Sequence, residues 1–549
     1  MRNIALIIAC LAQMMQGIIG THNPPTPPPP VGIYYYVANA GSDSNNGTST
    51  GTPWKTIAHV QTALTGDQHD VNLVFNRGDT WREQYTVQSH GTSGHPFIVG
   101  AYGSGALPII TGADILSSWT TEGSIYYATV AATANQAFRD GARLVLAASK
   151  GALATGKWWW DSGNLRVYVY DNPSGHTMEA SQRDYGINCL NQYVTVTSIH
   201  GTKANNSGVE IGANYDVGDS LLTDYNYHEG IHGGGASFTV TGSTVSHNGS
   251  NGIFFNNTDN FYIARNSVDH NGELALDSEQ DYSGGIRFGL YQIGAGVVEY
   301  NLVYDEAQGG IDAGMGINYD TNTGTAVTYI RYNETWGNYG AGIRVDAGVN
   351  TVVLGNVIYG NLGGNNSAGI QMAYDGTGNL IYNNTVYGNG GVGISMWGRN
   401  LAGGVVNNIF ENNISVGNTV ANLAVWAGGE NPGTNGSGNV YNYNNFGPQA
   451  SNFIRWGGGS FPGTSYSSYA AWESAYCGSG GCSHSVQANP LFVNAGAFQF
   501  WLQAGSPAIG AGIALGSPYN VGLSSSSTWP GSVVLNPTNT PPDLGAYVY

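Results

Sequence analysis

The sequence predicts an all-β fold, a single-stranded right-handed parallel β-helix in which each coil contributes three short strands. The first observation is a recurring phrase, Asn-x-aliphatic-x-x-Asn, which is usually followed within a few residues by Gly-Ile. Intervals of roughly 20–50 residues between copies are typical of solenoids and other repeat arrays. The copies begin at Asn266, Asn301, Asn333, Asn356, Asn384 and Asn413.

The second observation is that three columns of apolar residues accompany the phrase. One stands three positions before the first Asn, another two positions after it, and the Ile of Gly-Ile forms the third. Such coils bury their apolar residues only by stacking on neighbouring coils, and equivalent Asn side chains are then expected to bond to one another. No six-residue repeat supports a left-handed helix, and a propeller blade needs about 40 residues. In the third column we expect burial of Ile311, Ile343, Ile370 and Ile394.

The chain begins with features of an exported protein. Met1-Arg2-Asn3 and the apolar run from Ile4 to Ile19 are typical of a secretory signal peptide, and Pro24 to Pro30 form a stiff linker. The apolar run is too short and too interrupted for a membrane span. We therefore expect an extracellular or periplasmic protein, with cleavage near Gly20 favoured over lipid attachment at Cys10.

Composition agrees with export and excludes one class of partner. The chain has 83 Gly, 9% charged residues and a net charge of -18. No basic patch is present to displace the counterions of phosphate groups, so nucleic acid is not expected as a partner. Cys477 and Cys482 bracket Gly-Ser-Gly-Gly and are predicted to form a disulfide in an oxidising compartment. Cys189 is predicted to be a lone buried thiol.

Several stretches of the sequence resemble secreted bacterial proteins of the pectate-lyase-like superfamily. The resemblance implies a β-helix whose outward sheet face binds polysaccharide in a groove. It departs from the family pattern at Gly510 and Val548, where relatives often carry Asp and Glu. The stretches are Tyr34 to Thr48, Pro53 to Ile57, Phe138 to Gly141, Gly156 to Thr177, Ala488 to Val493, Gly505 to Gly510 and Pro542 to Tyr547.

One solenoid domain is expected between the two caps, and we take it to be a monomer. A solenoid grows lengthwise and so escapes the size limit of a single compact core. The predicted segments are 1–22 (signal peptide), 23–31 (proline-rich linker), 32–135 (N-terminal cap and first coils), 136–190 (hairpin insertion), 191–429 (regular coils) and 430–549 (last coils and C-terminal cap).

Candidate catalytic residues follow the Ile of Gly-Ile, because an outward residue follows each inward Ile. Asp346 and Trp397 stand two positions further along their strands. A second register is open, in which Asp277 replaces Arg287 beneath Asp312. The predicted outward column reads Phe254, Arg287, Asp312, Arg344, Gln371 and Ser395.

Paired carboxylates in this column suit glycoside hydrolysis. Asp312 and Asp346 would lie about 8 Å apart, an inverting separation, whereas Asp277 over Asp312 would lie near the retaining separation of about 5 Å. Arg287 and Arg344 would hold Asp312 ionised as base or nucleophile. A solvated ladder of Arg–Asp ion pairs is the alternative. His232 is a further candidate base in the outward column.

Other residues are candidates for binding. Flat apolar side chains stack on sugar rings, and the predicted substrate-binding residues are Gln371, Trp397, Tyr374 and Trp336. Oxygen ligands favour calcium, and the candidate metal ligands are Asp277, Glu279, Asp305 and Glu306. The alternative for Glu306 is sequence drift in a turn that tolerates substitution. The hydrolase interpretation requires no cofactor.

The sequence favours a polysaccharide-active glycoside hydrolase over two alternatives. One is a polysaccharide lyase or epimerase, with calcium as an optional ion. Because no Lys follows Lys203, Arg287 or Arg344 would have to act as the base. The other is a non-enzymatic glycan-binding or surface structural protein, which the fold alone does not exclude.

Overall fold

Three long sheets dominate the structure, and successive coils pair in parallel in each of them. This arrangement is a parallel β-helix and confirms the predicted fold class. The computed structural model describes residues 32–258, 260–274, 284–289, 295–306, 315–320, 327–346, 348–362, 368–373, 376–398, 406–427, 438–448, 453–457, 464–476 and 483–549.

Sheet A carries the Gly-Ile strands. Its described strands are Tyr85–Val87, Ile187–Cys189, Val209–Ile211, Ile231–Gly235, Ile253–Thr258, Gly284–Phe288, Met315–Asp320, Ile343–Asp346, Ala368–Ala373, Val392–Gly398, Ala421–Ala427, Ile454–Trp456 and Thr464–Tyr466. All of these pairings are parallel except that between the last two strands.

Sheet B contains the strands that precede the first Asn of each phrase, and sheet C contains the strands that follow it. The strands of sheet B are Ile33–Val37, Val71–Asn76, Phe97–Tyr102, Val194–Thr197, Asp216–Asp219, Phe238–Thr241, Phe261–Ala264, Gly296–Glu299, Thr328–Arg331, Thr351–Leu354, Leu380–Tyr382, Ile409–Glu411 and Val440–Asn442. Those of sheet C are Thr80–Trp81, Ile109–Thr111, His200–Thr202, Leu222–Asp224, Thr244–Ser246, Ser267–Asp269, Leu302–Tyr304, Glu334–Trp336, Val357–Tyr359, Thr385–Tyr387 and Ile414–Val416.

Smaller elements surround the coils. A five-stranded sheet comprises Thr120–Glu122, Ile125–Thr129, Arg166–Val169, Lys157–Asp161 and Val145–Leu146, and a four-stranded one comprises Ala142–Arg143, Ala137–Arg139, Met178–Ser181 and Ala113–Ile115. The two-stranded pairs are Gly66–Asp67 with Ser89–His90, Phe492–Asn494 with Gln499–Leu502, and Val521–Leu523 with Leu535–Pro537. The α-helices are Ile57–Ala63 and Tyr469–Tyr476, and the 3₁₀ helices are Lys150–Ala152 and Ala495–Ala497.

The core fills the inside of the coils with the predicted apolar columns. Ile343, Ile370 and Ile394 are buried as predicted, whereas Ile311 lies outside the described residues. Because side chains alternate along a strand, the residue after each inward Ile faces away from this core. The column of sheet B is buried at Val240, Ile263, Val298, Ile330, Val353, Ile381 and Phe410.

Two asparagine ladders join the coils, the first at the turn between sheets B and C and the second directly after the strands of sheet C. Asn333 donates from both its backbone N and its Nδ2 to Oδ1 of Asn356, at 3.0 Å in each case, and Asn356 donates in the same way to Asn384. The same pattern links Asn266, Asn301 and Asn413 to their neighbours, which confirms the predicted column. Nδ2 of Asn356 also donates to the carbonyl of Ile330 in the preceding coil, so the ladder amides are paired with the coils on both sides.

Candidate functional site

The pairing of sheet A fixes the order of the outward column. Arg287 pairs with Asn318, and Asn318 pairs with Arg344 in the next coil. The predicted register, which put Asp312 between the two arginines, is therefore wrong in this coil. The alternative register is also wrong, because Arg287 occupies the strand in which Asp277 was to replace it. Asp312 and Asp277 themselves lie outside the described residues.

The physical reason for the shift is a second Gly-Ile pair in the same coil. Gly310-Ile311 and Gly316-Ile317 follow one another in the sequence, and Ile317 is the residue that pairs with both Ile286 and Ile343. The longer segment before the strand carries the first Gly-Ile pair. When the strand is aligned on the first Gly-Ile pair, every outward residue of that coil is therefore assigned to the wrong position.

The corrected register brings a new carboxylate residue, Asp320, beside Asp346. The two are partners on neighbouring strands of sheet A. Sequence reasoning missed Asp320 because it used the wrong Gly-Ile pair. The signal was nevertheless present, since Gly316-Ile-Asn-Tyr-Asp320 has the same pattern as Gly342-Ile-Arg-Val-Asp346.

Asp346 and Arg344 form a buried ion pair on the outward face. Nε of Arg344 donates to Oδ1 of Asp346 at 2.7 Å, and their side chains are only 3% and 6% exposed. Both residues alternate with the core residues Ile343 and Val345 and therefore face away from the coil interior. Oδ2 of Asp346 is buried and accepts no hydrogen bond from the described part of the chain. One carboxylate oxygen is thus fixed by Arg344, and the other is buried with no partner among the described residues.

The outward column continues with polar residues after Arg344. Gln371 pairs with Arg344 on one side and with Ser395 on the other, and both Gln371 and Ser395 are buried. The strand position of Trp397 pairs with Ala373, two residues beyond Gln371. Tyr374 lies outside the described residues.

The column before Arg287 combines an ion pair with a stacked ring. Nδ1 of His232 lies 2.8 Å from Oε2 of Glu210, and the His232 ring stacks on Phe254 at 5.4 Å between centroids. The guanidinium of Arg287 lies 5.3 Å from the centroid of the Phe254 ring. Burial alone would lower the pKa of His232, but the hydrogen bond and charge of Glu210 outweigh it, so the pKa is raised.

Glu210 was missed in the sequence because its coil carries Gly208-Val209 in place of Gly-Ile. Glu210 is nevertheless the strand partner of His232 in sheet A, so it lies in the same outward column one coil earlier. The outward column is therefore longer than predicted. It extends from the described N-terminal coils into the middle of sheet A.

Trp336 lies away from this column, in sheet C. Its ring stacks on Tyr304 at 4.7 Å and on Tyr359 at 6.2 Å. Tyr359 in turn stacks on Phe498 of the C-terminal segment at 4.7 Å. Trp336 is therefore part of an aromatic stack beneath that segment, on a different sheet from Asp346.

Glu306 takes the place of an asparagine within the second ladder. Its Oε2 accepts from the backbone N of Asn271 at 2.8 Å and its Oε1 accepts from Nδ2 of Asn271 at 3.3 Å. Burial raises the pKa of Glu306 well above its ordinary value. Both oxygens already serve the ladder, an arrangement that does not favour Glu306 as a calcium ligand.

The other predicted metal and disulfide residues are only partly described. Asp305 has a positive φ of 50° at the turn, and burial raises its pKa. Asp277, Glu279, Cys477 and Cys482 lie outside the described residues, so calcium binding and the disulfide stay predictions. Cys189 is a buried free thiol, as predicted.

Comparisons with known proteins agree with this fold. No protein-family model and no curated protein matches the chain. Among solved structures, XylC in complex with xylose is similar with a TM-score of 0.58 and 13% identity, over 75% of this chain and 83% of that one. The chain therefore shares the fold of that structure.

Two further solved structures have lower TM-scores. A glycoside hydrolase is similar with a TM-score of 0.47 and 11% identity, over 75% of this chain and 96% of that one. The pectate lyase Pel9A has a TM-score of 0.44 and 17% identity, over 94% and 96% of the two chains. The reaction must be argued from the residues themselves. Within the residues that the structure describes, no helix is long and apolar enough to cross a membrane.

Proposed function

We propose that the protein is a glycoside hydrolase whose reaction centre lies at Asp346 on the outward face of sheet A. The observation that carries this proposal is the buried Asp346 carboxylate, with one oxygen held by Arg344 and with Asp320 as its register partner. Neighbouring strands are about 4.8 Å apart. Carboxylates at paired positions therefore suit the retaining separation of about 5–5.5 Å better than the inverting one.

The two carboxylates would have different roles in a retaining reaction. Asp346 is the proposed nucleophile, because Arg344 fixes one of its oxygens and leaves Oδ2 to attack the anomeric carbon. Asp320 is the proposed acid, which protonates the departing glycosidic oxygen and then accepts a proton from the water that releases the sugar. Nothing in these steps requires a cofactor.

Neighbouring residues of the column would bind the sugar chain. Arg287 and Gln371 carry donors for sugar hydroxyl groups on the two sides of Arg344. The column extends over several coils toward Glu210 and His232, which favours a polymeric or oligomeric substrate. XylC binds xylose, so xylan and xylo-oligosaccharides belong among the first substrates to be tested. The predicted export to the cell exterior or periplasm would bring the protein to such polymers.

A polysaccharide lyase is the second candidate, favoured by the two arginines of the outward column. A lyase needs a base that removes a proton from a uronic acid, and Arg287 or Arg344 would have to serve. The 2.7 Å bond between Arg344 and Asp346 opposes this role, because it stabilises the charged guanidinium. The hydrolase is therefore the better-supported function.

One experiment separates the two functions. The purified protein is incubated with a panel of neutral and uronic-acid polysaccharides, with and without chelator, and the products are assayed for new reducing ends and for the ultraviolet absorbance of unsaturated sugars. We expect new reducing ends without unsaturated products, in a reaction that is lost in Asp346→Asn. Unsaturated products lost in Arg287→Lys would establish the lyase instead, and loss of activity with chelator would restore the calcium prediction.

A further inference from the structure

We propose that His247, Asp269 and His270 form a binding site for a divalent transition-metal ion on the surface of sheet C. One potential ligand atom of each residue lies within 4.8 Å of the others. The site is on a different sheet from Asp346, so the inference is independent of the proposed hydrolase function.

The repeated turn explains why two histidines meet here. His247 follows the strand Thr244–Ser246 and His270 follows the strand Ser267–Asp269, and these strands are neighbours in sheet C. Both histidines have positive φ, of 55° and 53°. Because the turn is the same in both coils, the two imidazole rings stack with their centroids 5.0 Å apart.

Carboxylates orient both imidazole rings. Nδ1 of His247 lies 2.7 Å from Oε1 of Glu273, whose other oxygen accepts from Nη1 of Arg143 at 2.7 Å. Nδ1 of His270 lies 2.7 Å from Oδ2 of Asp269. Metal-binding histidines commonly have one ring nitrogen held by a carboxylate while the other binds the ion. Nε2 of His247 is therefore the nitrogen placed to bind.

The charge around the cluster also favours a cation. Asp269, Glu273 and Asp305 surround the histidines, and Arg143 is the basic partner that the structure shows for Glu273. A divalent ion would reduce the mutual repulsion of these carboxylates.

The ligand types and exposure select the kind of ion. Imidazole nitrogen suits zinc, copper and nickel, whereas calcium prefers six to eight oxygens. The side chains of His247 and His270 are 33% and 46% exposed, so an ion can enter from solvent and the rings can rotate. Such rotation is needed, because zinc–nitrogen distances of about 2.0–2.1 Å require the ligand atoms to approach one another.

A purely structural role predicts a different outcome. His247 also stacks on Tyr225 at 5.0 Å, so the histidines extend an aromatic stack along the turn. Replacing a histidine by Phe keeps a ring in that stack and removes the nitrogens. The variants His247→Phe and His270→Phe therefore separate metal binding from packing.

The test is a calorimetric titration of the chelator-stripped full chain with Zn²⁺, accompanied by melting curves. We expect one bound ion per chain, a rise of the melting temperature with Zn²⁺ but not with Ca²⁺, and at least about tenfold weaker binding in His247→Phe, His270→Phe and Asp269→Asn. His200→Phe is the control, because His200 pairs with Asp224 at 2.8 Å in the same sheet and should leave zinc affinity unchanged. Absence of binding, or equal affinity in all variants, would overturn the site. If a Phe variant does not fold, His270→Gln gives the same test.

Discussion

The turn between sheets B and C and the connections that flank sheet A follow opposite rules. Two residues separate the strands at the first, as between Leu354 and Val357, and the same spacing recurs in nine coils from His200 to Ile414. Between sheets A and B the spacing varies from two residues, after Gly235, to twelve, after Ala427. The constant length indicates that the turn between sheets B and C does not accept an inserted residue.

Hydrogen bonding explains the difference. At the constant turn, each ladder asparagine pairs buried backbone and amide groups across coils, so one extra residue would break several bonds at once. The connections beside sheet A also contain asparagine ladders, such as those of Asn338 with Asn361 and Asn379 with Asn408, but these occupy only part of each connection, and the remaining residues vary in number. Loops of this kind commonly carry function on a rigid scaffold. The same freedom makes the register of sheet A difficult to predict.

The largest expected stability effect is that of Asn356→Ala. Oδ1 of Asn356 accepts two hydrogen bonds from Asn333, and its Nδ2 donates to the carbonyl of Ile330 and to Asn384. Removing these bonds leaves several buried groups unpaired, at a cost of about 3 kcal/mol or more in the free energy of unfolding. Urea unfolding measures the loss. Ser237→Ala, in a connection from sheet A to sheet B, is the control and should change stability by less than about 0.5 kcal/mol. Similar losses in both variants would mean that the two kinds of connection are equally constrained.

The next effect tests the second ladder, which lies in the connection from sheet C to sheet A, through Glu306→Gln. Burial raises the pKa of Glu306 in the folded chain, so the unfolded chain loses its proton first as pH rises. The folded state therefore loses stability from the ordinary glutamate pKa upward until the folded pKa is reached, by about 1.4 kcal/mol per pH unit. Glutamine keeps the acceptor for Asn271 without this loss.

The measurement for Glu306→Gln is the unfolding free energy at two pH values. We expect equal stability of the variant and the parent near pH 4, and a more stable variant at pH 7. A variant that is less stable at pH 7 would show that the carboxylate is needed in its charged form. Such a result would return attention to a cation bound at this turn.

The smallest expected effect concerns the inward column of sheet C. Thr335 stands between Val303 and Ile358, and its hydroxyl is buried without a hydrogen-bond partner in the described part of the chain. Thr335→Val keeps the shape and removes the unpaired hydroxyl, so we expect a gain of about 1 kcal/mol. The reverse exchange, Val303→Thr, is the matched control and should destabilise. A loss in Thr335→Val would indicate a partner for the hydroxyl.

The same contrast accounts for what the sequence predicted. The column that contains Asn333 and Asn356 was predicted correctly. Buried amides must be paired, so asparagine recurs at the same position of each coil and the repeat is visible in the sequence. The candidate site was predicted in part: Arg344 and Gln371 occupy the expected column, and Asp346 stands two positions after Arg344 on the same strand, as expected. Asp320 was missed, because a variable connection contained a second Gly-Ile pair and no hydrogen-bond pattern distinguished the two.

The role of Trp336 also could not be predicted from the sequence. Its position near the repeated phrase was visible in the sequence, but its contacts with Tyr304 and Tyr359 depend on stacking across coils. Side-chain type alone did not separate an aromatic that binds sugar from one that packs beneath the C-terminal segment. Such distinctions need the register of neighbouring coils and the path of the terminal residues.

The most direct test of the central claim compares Asp346→Asn, Asp320→Asn and Asp312→Asn on the substrate identified by the polysaccharide panel. Each change keeps the shape of the side chain and removes its charge, and circular dichroism checks that the fold is kept. We expect turnover to fall by about 10² or more in Asp346→Asn and Asp320→Asn, and to stay within about threefold of the parent in Asp312→Asn, because Asn318 holds the column position once predicted for Asp312. Near-normal turnover in folded Asp346→Asn, or a collapse of turnover in Asp312→Asn alone, would contradict the account.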